Sequence, residues 1–270
     1  MSNLSPIQKK LLAMMEWFHL FCEKNHLKYY MIGGTMLGAI RHHGFIPWDD
    51  DIDVGMPRTD YEQLLKLTQG KQYGHYRIES YKDGASEYTV PFAKLYDTKT
   101  TLVEERYPPL KRGLFLDIFP LDGVSNEKSW KRGYKIFRLN KNLLSVLTAD
   151  IHREYSLKLN MLIILSRLIP AKANIEKFLQ KRIDKFCASE PFDINRKVAN
   201  LVGSRKEKEL LPGRFFGEPV LYSFEGREFF GVEMADAYLS SLIGNYVQFP
   251  PESERKGHLT TNCDLTRGYM

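Results

Sequence analysis

The chain has 270 residues, 43% of them hydrophobic and 27% charged, with a formal net charge of +6. That length carries one large domain or two small ones, and that apolar content excludes global disorder. Three distant cysteines, Cys22, Cys187 and Cys263, form no CxxC pair, which argues against a disulfide framework or cysteine zinc site and points to a reducing compartment.

The N-terminus, MSNLSPIQKK, has no charged segment followed by an apolar run, so no signal peptide is expected. Ser5-Pro6-Ile7-Gln8 reads as a capping box with proline at the first helical position. Ile7, Leu11, Leu12, Met14, Met15, Phe18 and Phe21 then recur at helical spacing up to about Asn25. Residues 29–32 read as a short strand broken by Gly33-Gly34, with a helical segment over 35–40 and a loop over 44–48. Residues 51–54 read as a second strand, stopped by Gly55 and Pro57. Thr59-Asp60-Tyr61-Glu62 reads as another capping box, opening a helix to about Gln69.

Further strands are expected at 76–81, 88–96, 101–105 and 114–119. Residues 127–189 read as helical, broken near Asp150 and at Pro170. Between 128 and 185 there are 14 Lys and Arg against four acids, a local charge of +10. That balance suits either a solvated helical face or attraction to an anionic surface such as phospholipid headgroups. No helix-turn-helix, zinc-finger or RNP signature supports nucleic acid as the partner. The longest apolar stretch, 161–165, is too short to span a bilayer. The last third holds expected strands at 220–224 and 228–232, a helix at 235–243 and a Pro-rich tail. The order predicts an α+β fold, a mixed sheet core flanked by helices with an added helical region. The expected division is a core over 1–125, a basic helical region over 126–190 and a mixed part over 191–270 that completes the catalytic domain.

The chemistry concentrates in Trp48-Asp49-Asp50-Asp51-Ile52-Asp53-Val54. In an extended strand Asp49, Asp51 and Asp53 share one face, and Asp50 and Ile52 take the other. Such carboxylates sit roughly 6–7 Å apart and repel by about 2–3 kcal/mol per adjacent pair. A divalent cation turns that repulsion into binding, and oxygen-only ligands favour Mg²⁺ or Mn²⁺. A solvated acidic turn is the alternative. Ile32-Gly33-Gly34-Thr35 ends a strand at a helix start, where backbone N–H groups and the Thr35 hydroxyl would hold phosphate oxygens; an ordinary turn is the alternative. Asp117 is the one charge in the apolar run Leu114-Phe115-Leu116-Asp117-Ile118-Phe119, a costly burial without a cation or partner. Asp122 reads as structural.

The order Gly-Gly-Thr, Asp-x-Asp, distant strand Asp resembles the nucleotidyltransferase superfamily. "MIGGTMLGAIRHHGFIPWDDDIDVGMPRTDYEQLL", "PFAKLYDTKTTLVEE" and "LFLDIFPLDG" resemble something narrower, the LicD/fukutin-related phosphotransferase family, with a looser match over 215–258. The resemblance implies a nucleotidyltransferase-like fold and transfer of a phosphorylated alcohol from a CDP-activated donor to a glycan hydroxyl, as in phosphocholine transfer from CDP-choline to teichoic-acid or lipooligosaccharide sugars. By position it implies Asp51 and Asp53 as metal ligands, Asp117 and Asp49 completing the acidic site, and Gly33, Gly34 and Thr35 holding donor phosphate. Asp117 or Asp49 would take the acceptor proton. Arg41 and Lys94 are candidates for phosphate pairing, and surface salt bridges are their alternative role. Trp48 and Tyr246, with Tyr29 and Tyr30, are candidates for an aromatic wall around a quaternary ammonium, although core packing suits most of them. His42, His43 and His258 read mainly as loop residues. A cytoplasmic enzyme at the inner membrane face, acting on a lipid-linked glycan, is the leading expectation. Transfer of ribitol or glycerol phosphate is the second, and an inactivated binding module for membrane or an anionic polymer is the third.

Overall fold

The computed structural model describes residues 4–83, 91–104, 110–170, 172–203, 205–255, 257 and 263–269. The first helix, α1 (Pro6–Lys24), opens on the predicted box: the Gln8 N–H donates to Ser5 Oγ at 3.1 Å, and the Ser5 N–H donates to Gln8 Oε1 at 3.0 Å. Its stripe of Leu11, Met14, Met15, Phe18 and Cys22 is buried, as the spacing requires. There follow β1 (Tyr30–Met31), α2 (Gly33–His42), β2 (Asp53–Pro57), α3 (Arg58–Thr68), β3 (Tyr76–Glu79), β4 (Ala93–Glu104) and β5 (Leu110–Val124). Three helices come next: α4 (Glu127–Thr148), α5 (Leu157–Ser166) and α6 (Lys172–Cys187). The chain closes with β6 (Lys197–Ala199), β7 (Leu210–Pro212), β8 (Val220–Phe224), β9 (Arg227–Gly231), α7 (Ala235–Ile243) and β10 (Cys263–Asp264).

The sheet is mixed and runs β10-β4-β5-β2-β1-β9-β8, with β3 on β4 and the pair β6-β7 continuing from the far end of β5. β2 lies parallel to β5 and β1 parallel to β9, whereas β4 is antiparallel to β5. This is the expected α+β class: a mixed sheet with helices packed on it and a separate run of helices beside it. The C-terminal strands β8 and β9 extend the sheet beyond β1, so first and last thirds share one sheet.

The helical run is tied down by one ring stack and one buried ion pair. Trp130, Tyr134, Phe137 and Phe186 stack in succession at 4.9, 5.5 and 5.7 Å, joining α4 to α6. Arg58 donates to both Asp122 oxygens at 2.7 and 2.8 Å and reaches Asp184 of α6 at 3.0 Å. Asp122 is therefore structural, as expected.

Three local expectations are corrected. The capping box at Thr59 does not form: α3 starts one residue earlier, at Arg58, directly from Pro57 and without a side-chain cap. Arg58 must sit at the strand-helix junction to meet Asp122, and Asp60 instead accepts from the Lys28 N–H at 3.1 Å. Gly55 does not stop β2, which begins at Asp53, continues through Gly55 and ends at Pro57. A Cβ on Gly55 would lie 3.1 Å from Ile32 and Leu121 side-chain atoms, so glycine lets these neighbours close over the strand. The strands expected at 88–96 and 101–105 are one strand, β4, with its register shifted between Asp97 and Leu102; residues 88–90 and 105 lie outside the described residues.

Candidate active site

The sheet register brings the chemistry together. Asp53, the first residue of β2, stands opposite Asp117 of β5, and Asp117 stands opposite Lys94 of β4. Directly paired residues share a sheet face. Lys94 is buried, its Nζ 3.3 Å from Asp117 Oδ1 and 3.1 Å from the centre of the Phe115 ring. The structure thus directs Lys94 to Asp117 rather than to the cleft wall.

Asp49 and Asp51 precede the strand on a loop, so the one-face strand geometry holds only from Asp53 onward. The loop still converges on the same place. The Asp49 N–H closes a turn onto Ile46 O at 2.8 Å, and Gln8 Nε2 of α1 donates to Asp49 O at 2.9 Å. Asp49, Asp51 and Asp53 all line a cleft of about 690 Å³, together with Gly33, Gly34 and Trp48. Asp50 is buried and turned away, toward Gly257.

The glycines do more than turn the chain. Gly33 has φ +55°, a conformation that suits glycine, and a Cβ there would lie 3.5 Å from Asp53 Oδ2. A Cβ on Gly34 would lie 3.0 Å from Asp49 Oδ2. Gly34 thus makes room for a carboxylate, whereas at Gly33 it is the backbone conformation that calls for glycine. The Gly33 N–H donates to the Tyr238 hydroxyl of α7 at 3.0 Å. Thr35 is buried, and its hydroxyl oxygen accepts from the Asp53 N–H at 2.8 Å, so it fixes the start of β2 rather than lining the cleft.

Burial, then the charges of Asp51, Asp117, Asp49 and Glu209, push the Asp53 carboxyl well above its ordinary range. Burial also raises Asp49, offset in part by a hydrogen bond with Asp51. Glu209 was not anticipated from the sequence. It ends a short 3₁₀ turn, Lys206–Glu209, lines the cleft, and is pushed by burial up to about 7. Its Oε1 accepts from the Arg205 N–H at 3.2 Å. Asn200, also unanticipated, is buried in the cleft wall, and its Oδ1 has no hydrogen-bond partner among the described residues.

The mouth of the cleft has the opposite character. Arg41 Nη1 donates to Tyr246 O at 2.9 Å, and its guanidinium lies 4.6 Å over the Phe249 ring. The Arg255 guanidinium lies 5.2 Å over Trp48 and 5.7 Å over Phe249. Burial, then Arg41, holds His42 below its ordinary value, so it accepts from Arg41 Nε as a neutral ring. His43 ends α2 in a left-handed turn, and His258 lies outside the described residues. Trp48 and Tyr246 line the cleft. Tyr29 and Tyr30 do not; both are core, Tyr30 donating to Gly217 O at 2.7 Å.

Among the described residues no three His, Cys, Asp or Glu side chains are drawn into a ready-made metal cage. The donor set suits a hard cation in kind: oxygen-only, with Asp53 raised by burial and then by its like-charged neighbours.

Comparison with known proteins fixes the lineage. The family described as LicD/FKTN/FKRP, nucleotidyltransferase domain, matches residues 26–147, from before β1 into α4. The lipopolysaccharide cholinephosphotransferase LicD of Haemophilus influenzae is 31% identical over 265 residues, covering 95% of this chain and 96% of the relative. The chain belongs to the LicD/FKTN/FKRP family. Its nucleotidyltransferase-domain match carries Gly33, Gly34, the acidic loop, Lys94 and Asp117, while Glu209, Tyr238 and Phe249 lie beyond it. Uncharacterized proteins of Rickettsia typhi and Rickettsia prowazekii are 43% and 42% identical over 81 and 66 residues, 28% and 24% of the chain and 25% of each relative.

Proposed function

We propose that this LicD-family protein transfers phosphocholine from CDP-choline to a sugar hydroxyl of a cell-surface glycan precursor and releases CMP. The observation that carries this is the nearly end-to-end match to a lipopolysaccharide cholinephosphotransferase. The cleft supports it chemically, since its lining combines clustered carboxylates with aromatic rings.

Asp51, Asp53 and Asp117 would hold a Mg²⁺ or Mn²⁺ ion. When bound, the cation would neutralise the donor diphosphate and the charge left on departing CMP. Arg41 and Arg205, both in the cleft wall, pair with donor phosphate oxygens. Trp48 and Phe249, already stacked against a guanidinium, offer π-faces of the kind that binds a quaternary ammonium. The acceptor oxygen bonds to the phosphorus bearing choline, the bond from that phosphorus to the CMP oxygen breaks, and the hydroxyl proton passes to a carboxylate. Asp49 serves as that acceptor, because it lines the cleft while Asp117 is engaged by Lys94. Lys94 positions Asp117 and leaves substrate to the two arginines. Gly33 and Gly34 shape the floor on which the phosphates rest.

A lipid-linked acceptor at the inner face of the cell membrane, of lipooligosaccharide or teichoic-acid type, completes the reading. The test is Mg²⁺-dependent release of CMP from CDP-choline in the presence of a glycan acceptor. Release from CDP-choline supports the proposal. Release from CDP-ribitol or CDP-glycerol, with none from CDP-choline, would replace choline by another alcohol.

A further inference from the structure

The helix α5, with sequence LKLNMLIILS, carries a single charge, Lys158, and apolar residues on nearly every side. Such a helix is ordinarily buried. This one buries only Ile163 and Ser166. Leu157 is 89% exposed and Met161 55%, and in the turn that follows Leu168 is 78% exposed. Leu162, Ile164, Leu165 and Ile169 are also exposed. On neighbouring α4, Ile136, Leu139 and Leu143 are exposed at helical spacing. A contiguous run of this kind marks an interaction surface.

Length and charge identify the partner. Ten residues span about 15 Å, half of a hydrocarbon core, and no helix among the described residues is long and apolar enough to cross a membrane. The surrounding region, 128–185, carries +10. Two copies brought face to face through it would repel, whereas an anionic lipid surface is complementary. Exposed Arg153 and Lys158 sit at the N-terminal end of α5, and Lys172 follows its C-terminal turn, where long side chains reach headgroups while apolar neighbours sink below them.

We propose that α5 and the Leu168-Ile169 turn lie flat in the interface of an anionic phospholipid bilayer and dock the protein there without spanning it. The helix is braced for this: Asn160 donates from Nδ2 to His152 O at 2.8 Å and accepts from the His152 N–H at 3.1 Å, fixing the preceding loop to it. Arg167, paired with Asp150, fastens the other end. The proposed transfer reaction gives docking its use, since a lipid-linked acceptor is presented at such a surface, but the geometry stands without it.

The test is flotation of the full chain with vesicles of phosphatidylcholine, with and without phosphatidylglycerol. Binding should need phosphatidylglycerol and weaken with salt. Met161→Ser with Leu165→Ser, and separately Leu157→Ser with Leu168→Ser, should each lower the bound fraction about tenfold or more. A Leu165→Trp reporter should shift its emission to the blue on vesicles, and CMP release with a soluble acceptor should be unchanged. Flotation unaffected by the serine pairs overturns the proposal. So does a wild-type chain that self-associates through this face, becomes monomeric in the serine variants and ignores vesicles. Flotation does not depend on turnover, so failure of the transferase reading would leave this result intact, and the reverse.

Discussion

β5 carries two aspartates, Asp117 midway along it and Asp122 near its C-terminal end, and they are treated in opposite ways. Asp122 is fully buried and is met by both arms of one guanidinium, from Arg58. Asp117 lies in register with Asp53, whose carboxyl also faces the charges of Asp51, Asp49 and Glu209, and Lys94 is the cation close to Asp117. One site balances its charge within the fold, and the other accumulates negative charge faster than the fold neutralises it. A buried ion pair broken on one side is strongly destabilising, whereas a surplus of like charge costs stability while it persists. The difference separates a structural carboxylate from the cluster proposed to carry the chemistry.

The largest expected effect is at the acidic cluster. Asp51→Asn combined with Asp53→Asn should lower transfer about 10³-fold or more, read as CMP release, because the charge-holding ligands are gone. Next is the balanced pair: Arg58→Ala should cost about 3–5 kcal/mol in denaturant unfolding, since Asp122 is left buried without its guanidinium. Turnover per folded molecule should hold. If Arg58→Ala removes activity from fully folded protein, the division between the two aspartates is wrong.

A smaller effect concerns pH. Glu209 has a folded value of about 7 against an ordinary 4.5, so the folded state binds the proton more tightly. Its contribution therefore favours folding at low pH and is lost as pH rises from about 4.5 through about 7. Glu209→Gln should flatten that part of the stability profile in metal-free buffer. A profile identical to wild type would place Glu209 outside the cluster. Smallest is Gly34→Ala, whose Cβ must displace the Asp49 carboxylate from 3.0 Å. A several-fold fall in kcat with an unchanged melting temperature is expected.

These contrasts also show what was legible in the sequence. Ser5-Pro6-Ile7-Gln8 was readable because a capping box is complete within four residues. The Gly-Gly turn and the Asp run were readable because their chemistry is local and their composition unusual. Asp122 was readable only in kind; its partner Arg58 comes from another element, and that need overrode the local helix-start signal at Thr59. Glu209 was hidden in the run Arg205-Lys206-Glu207-Lys208-Glu209, which reads as a solvated charge cluster. Its approach to Asp53 depends on where β7 and α7 settle. The roles expected for Thr35 and Lys94 met the same limit, since each is claimed by a partner that only the tertiary register supplies.

The central claim is that Asp53 is kept at a cost to stability because the cleft needs its charge. The direct test measures thermal unfolding and CMP release on the same preparation of Asp53→Asn, with unfolding read in metal-free buffer. The account predicts opposite movements: a higher melting temperature than wild type and loss of transfer. A lower melting temperature with transfer retained would contradict it.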